Sequence, residues 1–299
     1  MNKYLFVYGT IRKHEANHFY MENSKLISEQ AWTKGRIYEG PSYYPVLLDE
    51  DDTVYGELYE VNSEILKEVD MLEGFTENGH DNLYERSIRN IYTDHGTYEG
   101  YVYYLSPENK EMAVHSIEQG DWRVHQLLKK DQVIYFAFGS CMDDERFKLA
   151  GVETLFHEKL GRGELEGYKL IFSHHVEDGG RADIVEADDT VEGILYKTPL
   201  DAVDYLFQRE GVYSGHYRPT VVDVKLGDQC LNNVMTFYVL DKKEDLSPPF
   251  HYAREIHRGA APYLSESYMG RLEKKFLEKF NVNGFKEYIQ GTNRNKKQQ

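Results

Sequence analysis

The segment Asp51-Asp52-Thr53-Val54-Tyr55-Gly56-Glu57-Leu58-Tyr59 returns as Asp188-Asp189-Thr190-Val191-Glu192-Gly193-Ile194-Leu195-Tyr196, identical at seven of nine positions. A Glu-Gly pair then follows at one interval in both places, at Glu73-Gly74 (73 − 51 = 22) and at Glu210-Gly211 (210 − 188 = 22). Such self-similarity constrains the fold more than any single motif, because each copy must be a unit that can be built twice. Both copies also open alike. Tyr4-Leu5-Phe6-Val7-Tyr8-Gly9-Thr10 and Ile134-Tyr135-Phe136-Ala137-Phe138-Gly139-Ser140 are aromatic-rich strands of buried type that stop at Gly and a hydroxyl residue. Beyond the Glu-Gly pair stand Tyr84 and Arg86 in the first copy, Tyr217 and Arg218 in the second. A last strand ends at Tyr103-Tyr104-Leu105 or at Tyr238-Val239-Leu240.

At 299 residues the chain is long enough for two domains that each bury a core. Lys129-Lys130-Asp131-Gln132 interrupts the apolar pattern before the second opening strand, which places the domains at 1–130 and 131–290. No long Gly/Ser or Pro linker separates them. The polar stretch 291–299 is expected to be disordered. A net charge of −16 argues against nucleic acid or an anionic membrane as partner, since both repel a polyanion. The two cysteines, Cys141 and Cys230, fit a reducing cytosol and exclude a disulfide framework. Met1 to Thr10 reads as a strand and turn, without the apolar core and cleavage site of a signal peptide. No run approaches the roughly 20 apolar residues that span a bilayer. The expected location is cytoplasmic.

Between repeat strand and Glu-Gly pair each copy reads as a helix. In the second, Thr198 is a good N-cap with Pro199 at the first helical position, and Leu200, Val203, Leu206 and Phe207 form an apolar face. In the first, Asn62 or Ser63 caps the start, and Ile65, Leu66, Val69 and Leu72 form the face. Each helix ends on its Glu, with Gly74 or Gly211 placed for the left-handed conformation. An acid at a helix C-terminus meets the negative end of the dipole, so its recurrence in both copies points to chemistry. Partial burial and the helix end both raise a carboxylate's proton affinity, as a general base near neutral pH requires. An exposed acid at a frayed end is the competing explanation. The Gly-hydroxyl turns can form an anion nest for a carboxylate or phosphate, or be ordinary tight turns.

Two His patterns carry less. His14-Glu15-Ala16-Asn17-His18 matches a zinc motif that needs a helix, yet it directly follows the Gly9-Thr10 turn and has no counterpart in the second copy. His174 and His175 are adjacent, so on a strand they face opposite ways and cannot readily share an ion.

The second copy, from Tyr135 through Gly179-Gly180-Arg181-Ala182 and Glu210-Gly211 to Pro248-Pro249, Gly259-Ala260 and Tyr268, resembles the gamma-glutamylcyclotransferase family. The first, Phe6-Val7-Tyr8-Gly9-Thr10-Ile11-Arg12 with Asn17-His18, is more similar to the gamma-glutamylamine cyclotransferase branch, and Gly120-Asp121-Trp122-Arg123 to related AIG2-like proteins. The resemblance spans about residues 3 to 275 and implies an α/β (mixed α+β) fold, two small β-barrel domains with flanking helices in tandem. It implies a small-molecule gamma-glutamyl substrate, closed to 5-oxoproline with release of an amine, and no metal or organic cofactor. By the same resemblance Glu73 and Glu210 would be the catalytic acid/base residues. The substrate-binding residues would be Tyr8, Gly9, Thr10, Ile11, Tyr84 and Tyr103 in the first copy. In the second they would be Phe138, Gly139, Ser140, Cys141, Tyr217 and Tyr238. Phe138-Gly139-Ser140-Cys141 departs from the family's Tyr-Gly-Ser-Asn, losing a phenol hydroxyl and an amide. Nothing local in sequence marks Cys141 as an activated nucleophile. The alternative is a non-catalytic small-metabolite-binding or regulatory module with one or both sites inactive. The sequence leaves the oligomeric state open.

Overall fold

The computed structural model describes residues 3–79 and 81–296. Each half closes a five-stranded barrel. In the first, the strands are β1 (Lys3–Val7), β2 (Lys25–Glu39), β3 (Pro45–Val61), β4 (Tyr84–Thr93) and β5 (Gly96–Leu105), with helices α1 (Ser63–Leu72) and α2 (Trp122–Leu127). In the second they are β6 (Gln132–Ala137), β7 (Lys159–Val176), β8 (Gly179–Pro199), β9 (Tyr217–Leu226) and β10 (Gln229–Val239). Helices α3 (Asp144–Ala150), α4 (Leu200–Arg209), α5 (Phe250–Ala260), α6 (Glu266–Lys274) and α7 (Phe285–Lys296) complete it. Around the first barrel the order is β1-β3-β2-β4-β5, and around the second β6-β8-β7-β9-β10. The orders coincide when β6 is laid on β1. Both barrels close through one parallel contact, Leu5 beside Tyr101 and Tyr135 beside Met235, while the other pairs are antiparallel. Duplication therefore reaches the topology.

The repeated Gly of the two matching segments has a packing reason. A Cβ on Gly56 would lie 2.3 Å from the Val7 carbonyl oxygen and 2.8 Å from the Phe6 ring; on Gly193 it would lie 2.3 Å from the Ala137 oxygen and 2.7 Å from Phe136. Glycine lets the opening strand cross β3 or β8 at backbone distance. Around it Leu5, Val54, Leu58, Ile194 and Leu195 are fully buried, each side chain stabilising the barrel by about 1.5–3 kcal/mol.

Helix α1 is capped by Asn62, whose side chain accepts from the Glu64 and Ile65 amides. In α4 the expected start shifts by one residue. Pro199 is the N-cap, and the Thr198 hydroxyl donates to the Val133 carbonyl (3.4 Å), because that residue still pairs with β6. Both helices end on their acid. Glu73 and Glu210 are the C-caps, and Gly74 (φ 62°) and Gly211 (φ 65°) take the left-handed conformation.

Two expectations of organisation change. The chain divides into compact units between Gln126 and Leu127, ahead of the boundary read at residue 130. The tail is also more ordered than expected, since α7 carries residues 291–296 in helix. Its start is fixed by fully buried Phe285 and by Tyr288 against Phe250 and His257, contacts that polar composition alone does not reveal. Residues 297–299 lie outside the described residues. Among the described residues no helix is long and apolar enough to cross a membrane.

Candidate active sites

A cavity of about 460 Å³ opens in the first barrel, lined by Tyr8, Gly9, Thr10, Ile11, Glu73, Tyr84 and Tyr103. Asn17, Tyr43, Tyr44, Leu72 and Leu83 join them. The Gly9–Ile11 turn is shaped by its neighbours. A Cβ on Gly9 would meet Pro45 at 2.6 Å, and Asn17 braces Thr10 through its side-chain amide (3.0 Å) and backbone N–H (2.8 Å). Behind the turn lies a buried ion cluster. Arg12 donates to Glu57 (3.2 Å) and Asp121 (2.7 Å), Arg123 donates to Glu57 (3.2 Å), and the Lys13 amide and Tyr59 hydroxyl complete Glu57 (both 2.9 Å). Burial pushes Glu57 up, but the Arg12 and Arg123 guanidinium groups outweigh it and hold the carboxyl below its ordinary range. This cluster ties the Gly120–Arg123 segment to the turn.

Glu73 reaches the cavity from the end of α1. Burial lifts its carboxyl from 4.5 to about 7. The Tyr8 hydroxyl donates to the Tyr103 carbonyl (2.9 Å), and the Tyr103 hydroxyl to Asp70 (2.7 Å), which also holds Arg86 (2.7 Å). These phenols position the wall and one another.

The second barrel holds a cavity of about 430 Å³ lined by Phe138, Gly139, Ser140, Cys141, Glu210 and Tyr217. The Cys141 thiol donates to Glu210 (3.4 Å), while Arg209 donates to the Cys141 sulfur (3.1 Å) and the Ser140 hydroxyl (3.0 Å). Burial pushes Glu210 up, and Arg209 and the thiol hydrogen bond pull it back. Tyr217 donates to the Ala182 carbonyl (2.8 Å), and Tyr252 accepts from the Ala182 amide (3.2 Å).

Tyr238 is the exception among the residues expected at a site. It does not line the cavity; its ring lies under Lys242 and beside Arg218. The register explains the correction. Leu5 aligns with Tyr135 through the shared Gly, so Tyr101 matches Met235, Tyr103 matches Phe237 and Tyr104 matches Tyr238. The pairs Tyr84 with Leu105 and Tyr217 with Val239 agree. A one-residue slip in aligning the last strands puts the side chain on the wrong face.

Laid on each other, the barrels exchange whole clusters. Arg12 and Glu57 become Met142 and Ile194, an ion pair replaced by buried apolar residues, and the second turn is braced instead by Arg258 on Asp143 and by Gly259 of α5 against Met142. Asp70, Arg86 and Tyr103 become Phe207, Pro219 and Phe237, with the two Phe rings edge to face at 6.0 Å. Ile11 and Leu72 become Cys141 and Arg209.

Sequence reasoning missed Arg146, His174, Arg181, Arg209, Tyr252 and Glu255, which also line the second cavity. Arg209 had a signal in its place beside Glu210, and Tyr252 in the stretch between Pro249 and Gly259. Arg146 and Glu255 had none. The His14–His18 motif is not helical: His14 is left-handed (φ 66°), Glu15 accepts from Trp122 (3.1 Å), and a short 3-10 turn begins at His18.

The chain is similar to known proteins. The family model "Gamma-glutamyl cyclotransferase, AIG2-like" matches residues 5–124, and the AIG2-like family model matches residues 190–272. YkqA of Bacillus subtilis strain 168, whose name assigns it provisionally to the gamma-glutamylcyclotransferases, is 41% identical over 281 residues, covering 92% of this chain and 97% of YkqA. The crystal structure of YkqA superposes with a TM-score of 0.83 at 39% identity over 93% of this chain and 98% of that one. The gamma-L-glutamyl-butirosin B gamma-glutamyl cyclotransferase of Niallia circulans is 36% identical over 124 residues, 41% of this chain and 77% of that enzyme. With two barrels of one topology, a Glu at the same helix end in each and a relative alike over nearly its whole length, the chain belongs to the gamma-glutamylcyclotransferase-like family as a tandem of two copies.

Proposed function

We propose that the protein cyclises a gamma-glutamyl group to 5-oxoproline and releases an amine or amino acid, with Glu73 and Glu210 as general acid/base residues. The observation that carries this reading is the Glu73 carboxyl, set at the helix end in a cavity where burial lifts it to about 7. A base of that strength is half ionised near neutral pH. In the reaction the glutamyl α-ammonium gives a proton to the Glu carboxylate. The freed amine forms a C–N bond to its own γ-carbonyl carbon, and the bond to the leaving nitrogen breaks as the Glu returns its proton there. The ring nitrogen gives up its second proton, which leaves with the released amine as an ammonium. Attack within one molecule needs a folded glutamyl chain, and a cavity that enforces that shape supplies much of the acceleration. The Gly9–Ile11 and Gly139–Cys141 turns would hold the α-carboxylate through backbone N–H groups. Tyr84 would face the developing oxyanion, and Tyr217, at the matching position, would do so by turning its hydroxyl from the Ala182 carbonyl.

The test is 5-oxoproline release from a panel of gamma-glutamyl amines and peptides by the parent, Glu73→Gln, Glu210→Gln and the double variant. Release should fall about 10²–10⁴-fold in the double variant. Unchanged release there would remove both acids from the mechanism. A second reading, a pocket that binds a small acidic metabolite without turnover, draws on the second barrel, where Cys141 occupies Glu210. Saturable binding with no turnover across the panel would select it.

A further inference from the structure

We propose that Cys141 is the nucleophile of the second barrel, carrying the gamma-glutamyl group as a thioester that passes to its own amine or to an external acceptor. The proposal rests on the gamma-glutamyl reading of that cavity and departs from it in the route. The two barrels differ here as a set. Ile11 and Leu72 present hydrocarbon to the first cavity, whereas Cys141 and Arg209 present a thiol and a guanidinium to the second.

The geometry is that of a nucleophile with its base. The thiol lies 3.4 Å from Glu210 Oε1, and Arg209, 3.8 Å from the same oxygen, also holds the sulfur (3.1 Å) and the Ser140 hydroxyl (3.0 Å). A nucleophile within hydrogen-bond reach of a base that a third group orients is the arrangement covalent catalysis needs. Glu210 must reach the leaving nitrogen to protonate it. A sulfur 3.4 Å from Glu210 would then lie near the carbonyl carbon bonded to that nitrogen. Burial pushes the Cys141 thiol up, with Arg209 pulling against it, so the proton leaves for Glu210 as attack proceeds.

A separate observation points to the ligand. Glu255, 7% exposed on α5, lines the same cavity; Arg146 donates to its Oε1 (3.3 Å), while its buried Oε2 has no hydrogen-bond partner among the described residues. An orphan carboxylate oxygen on a residue that lines the cavity calls for a donor, and the glutamyl α-ammonium, once the side chain turns that oxygen outward, is one. An ammonium held there must give up a proton before it can attack, which delays ring closure and gives the thioester a lifetime.

The steps balance. The Cys141 proton passes to Glu210, sulfur forms a bond to the γ-carbonyl carbon, the C–N bond breaks, and Glu210 protonates the departing nitrogen. An amine, from the glutamyl group itself or from outside, then attacks the thioester carbonyl. The C–S bond breaks and sulfur recovers the proton that the amine loses through Glu210.

The experiment uses the full chain with Glu73→Gln, which silences the first barrel, and gamma-glutamyl-p-nitroanilide as probe. Acid-quenched intact mass should show the chain heavier by one glutamyl group, mapped to the peptide containing Cys141, with a matching burst of p-nitroaniline. Hydroxylamine should clear the adduct as the gamma-glutamyl hydroxamate. Cys141→Ala, checked for folding by circular dichroism, should lose the adduct and at least about 100-fold of release. Release of p-nitroaniline and 5-oxoproline by Cys141→Ala at the parent rate, with no adduct on the parent, overturns the thioester and leaves the cyclisation reading standing. No release by the parent, with iodoacetamide labelling of Cys141 unprotected by the probe, overturns both for this barrel.

Discussion

Replacing Glu73 with Gln keeps the side chain's size, removes its charge, and separates the stability cost of the first site from its chemistry. Burial places the Glu73 carboxyl at about 7 against an ordinary 4.5. Each pH step between those values is worth about 1.4 kcal/mol, so ionising Glu73 in the folded barrel costs about 3 kcal/mol at most. Water at the cavity mouth, where the residue is partly exposed, screens a share of that, leaving about 1–3 kcal/mol. The sign follows from which state binds the proton more tightly. The folded state does, so stability is greatest below pH 4.5, declines as pH rises to about 7, and is level above. Gln carries no such penalty. By calorimetry, the first unit of Glu73→Gln should unfold about 4–10 °C above the parent at pH 8 and together with it at pH 4.5. Its 5-oxoproline release should meanwhile fall about 10²–10⁴-fold in a Glu210→Gln background. A variant no more stable than the parent at pH 8 would show that the carboxyl is solvated and not tuned by burial. Gained stability with retained release would keep the burial argument and remove Glu73 from proton transfer.

In the same Glu210→Gln background, kcat/KM should rise with pH through about 7, since the base must be ionised to accept a proton; a profile flat between pH 5 and 9 contradicts this role. Glu57→Ala removes the buried carboxylate that Arg12 and Arg123 share, although Arg12 keeps Asp121, and should cost about 3–5 kcal/mol in urea unfolding, whereas a loss under about 1 kcal/mol would mean that water enters the cluster. Ala at Gly74 or Gly211 must adopt a left-handed φ, at about 1–2 kcal/mol. Gly211→Ala should be the worse in thermal unfolding, because its Cβ meets His216 at 2.6 Å while that of Gly74 meets Leu83 at 3.2 Å. Tyr103→Phe removes the hydrogen bond to Asp70 and should cost about 1 kcal/mol and alter KM at the first site; Tyr238→Phe, outside the second cavity, should leave release by that site unchanged.

Much of the fold is legible in the chain because it rests on local rules. The two opening strands, the glycines at 56 and 193, and the helices that end on Glu73 and Glu210 follow from periodicity, turn chemistry and capping. Those features repeat because both barrels obey the same backbone constraints. The helix over 291–296 is not legible because its composition is polar, and Phe285 and Tyr288 become visible as anchors only against Phe250 and His257. The position of Tyr238 outside the cavity is not legible because sequence similarity at the strand ends tolerates a slip of one, while hydrogen-bonded register does not.

By itself, then, the sequence determined the duplication, the strand-turn openings and two acids at helix ends, all set by residues close together along the chain. What surrounds those acids was decided by tertiary structure, because the cavity walls join residues far apart in sequence. Only folding brings Cys141 of one turn to Arg209 and Glu210 of α4, and places Arg146 and Glu255 on the same wall. It also brings Arg12 to Glu57, and Asp70 to Arg86 and Tyr103, so that Met142 and Ile194, and Phe207, Pro219 and Phe237, replace them in the second copy as groups. A buried charge keeps its place only with its partner, so such positions change together. Duplication fixed where the two acids stand, and packing set different surroundings for each.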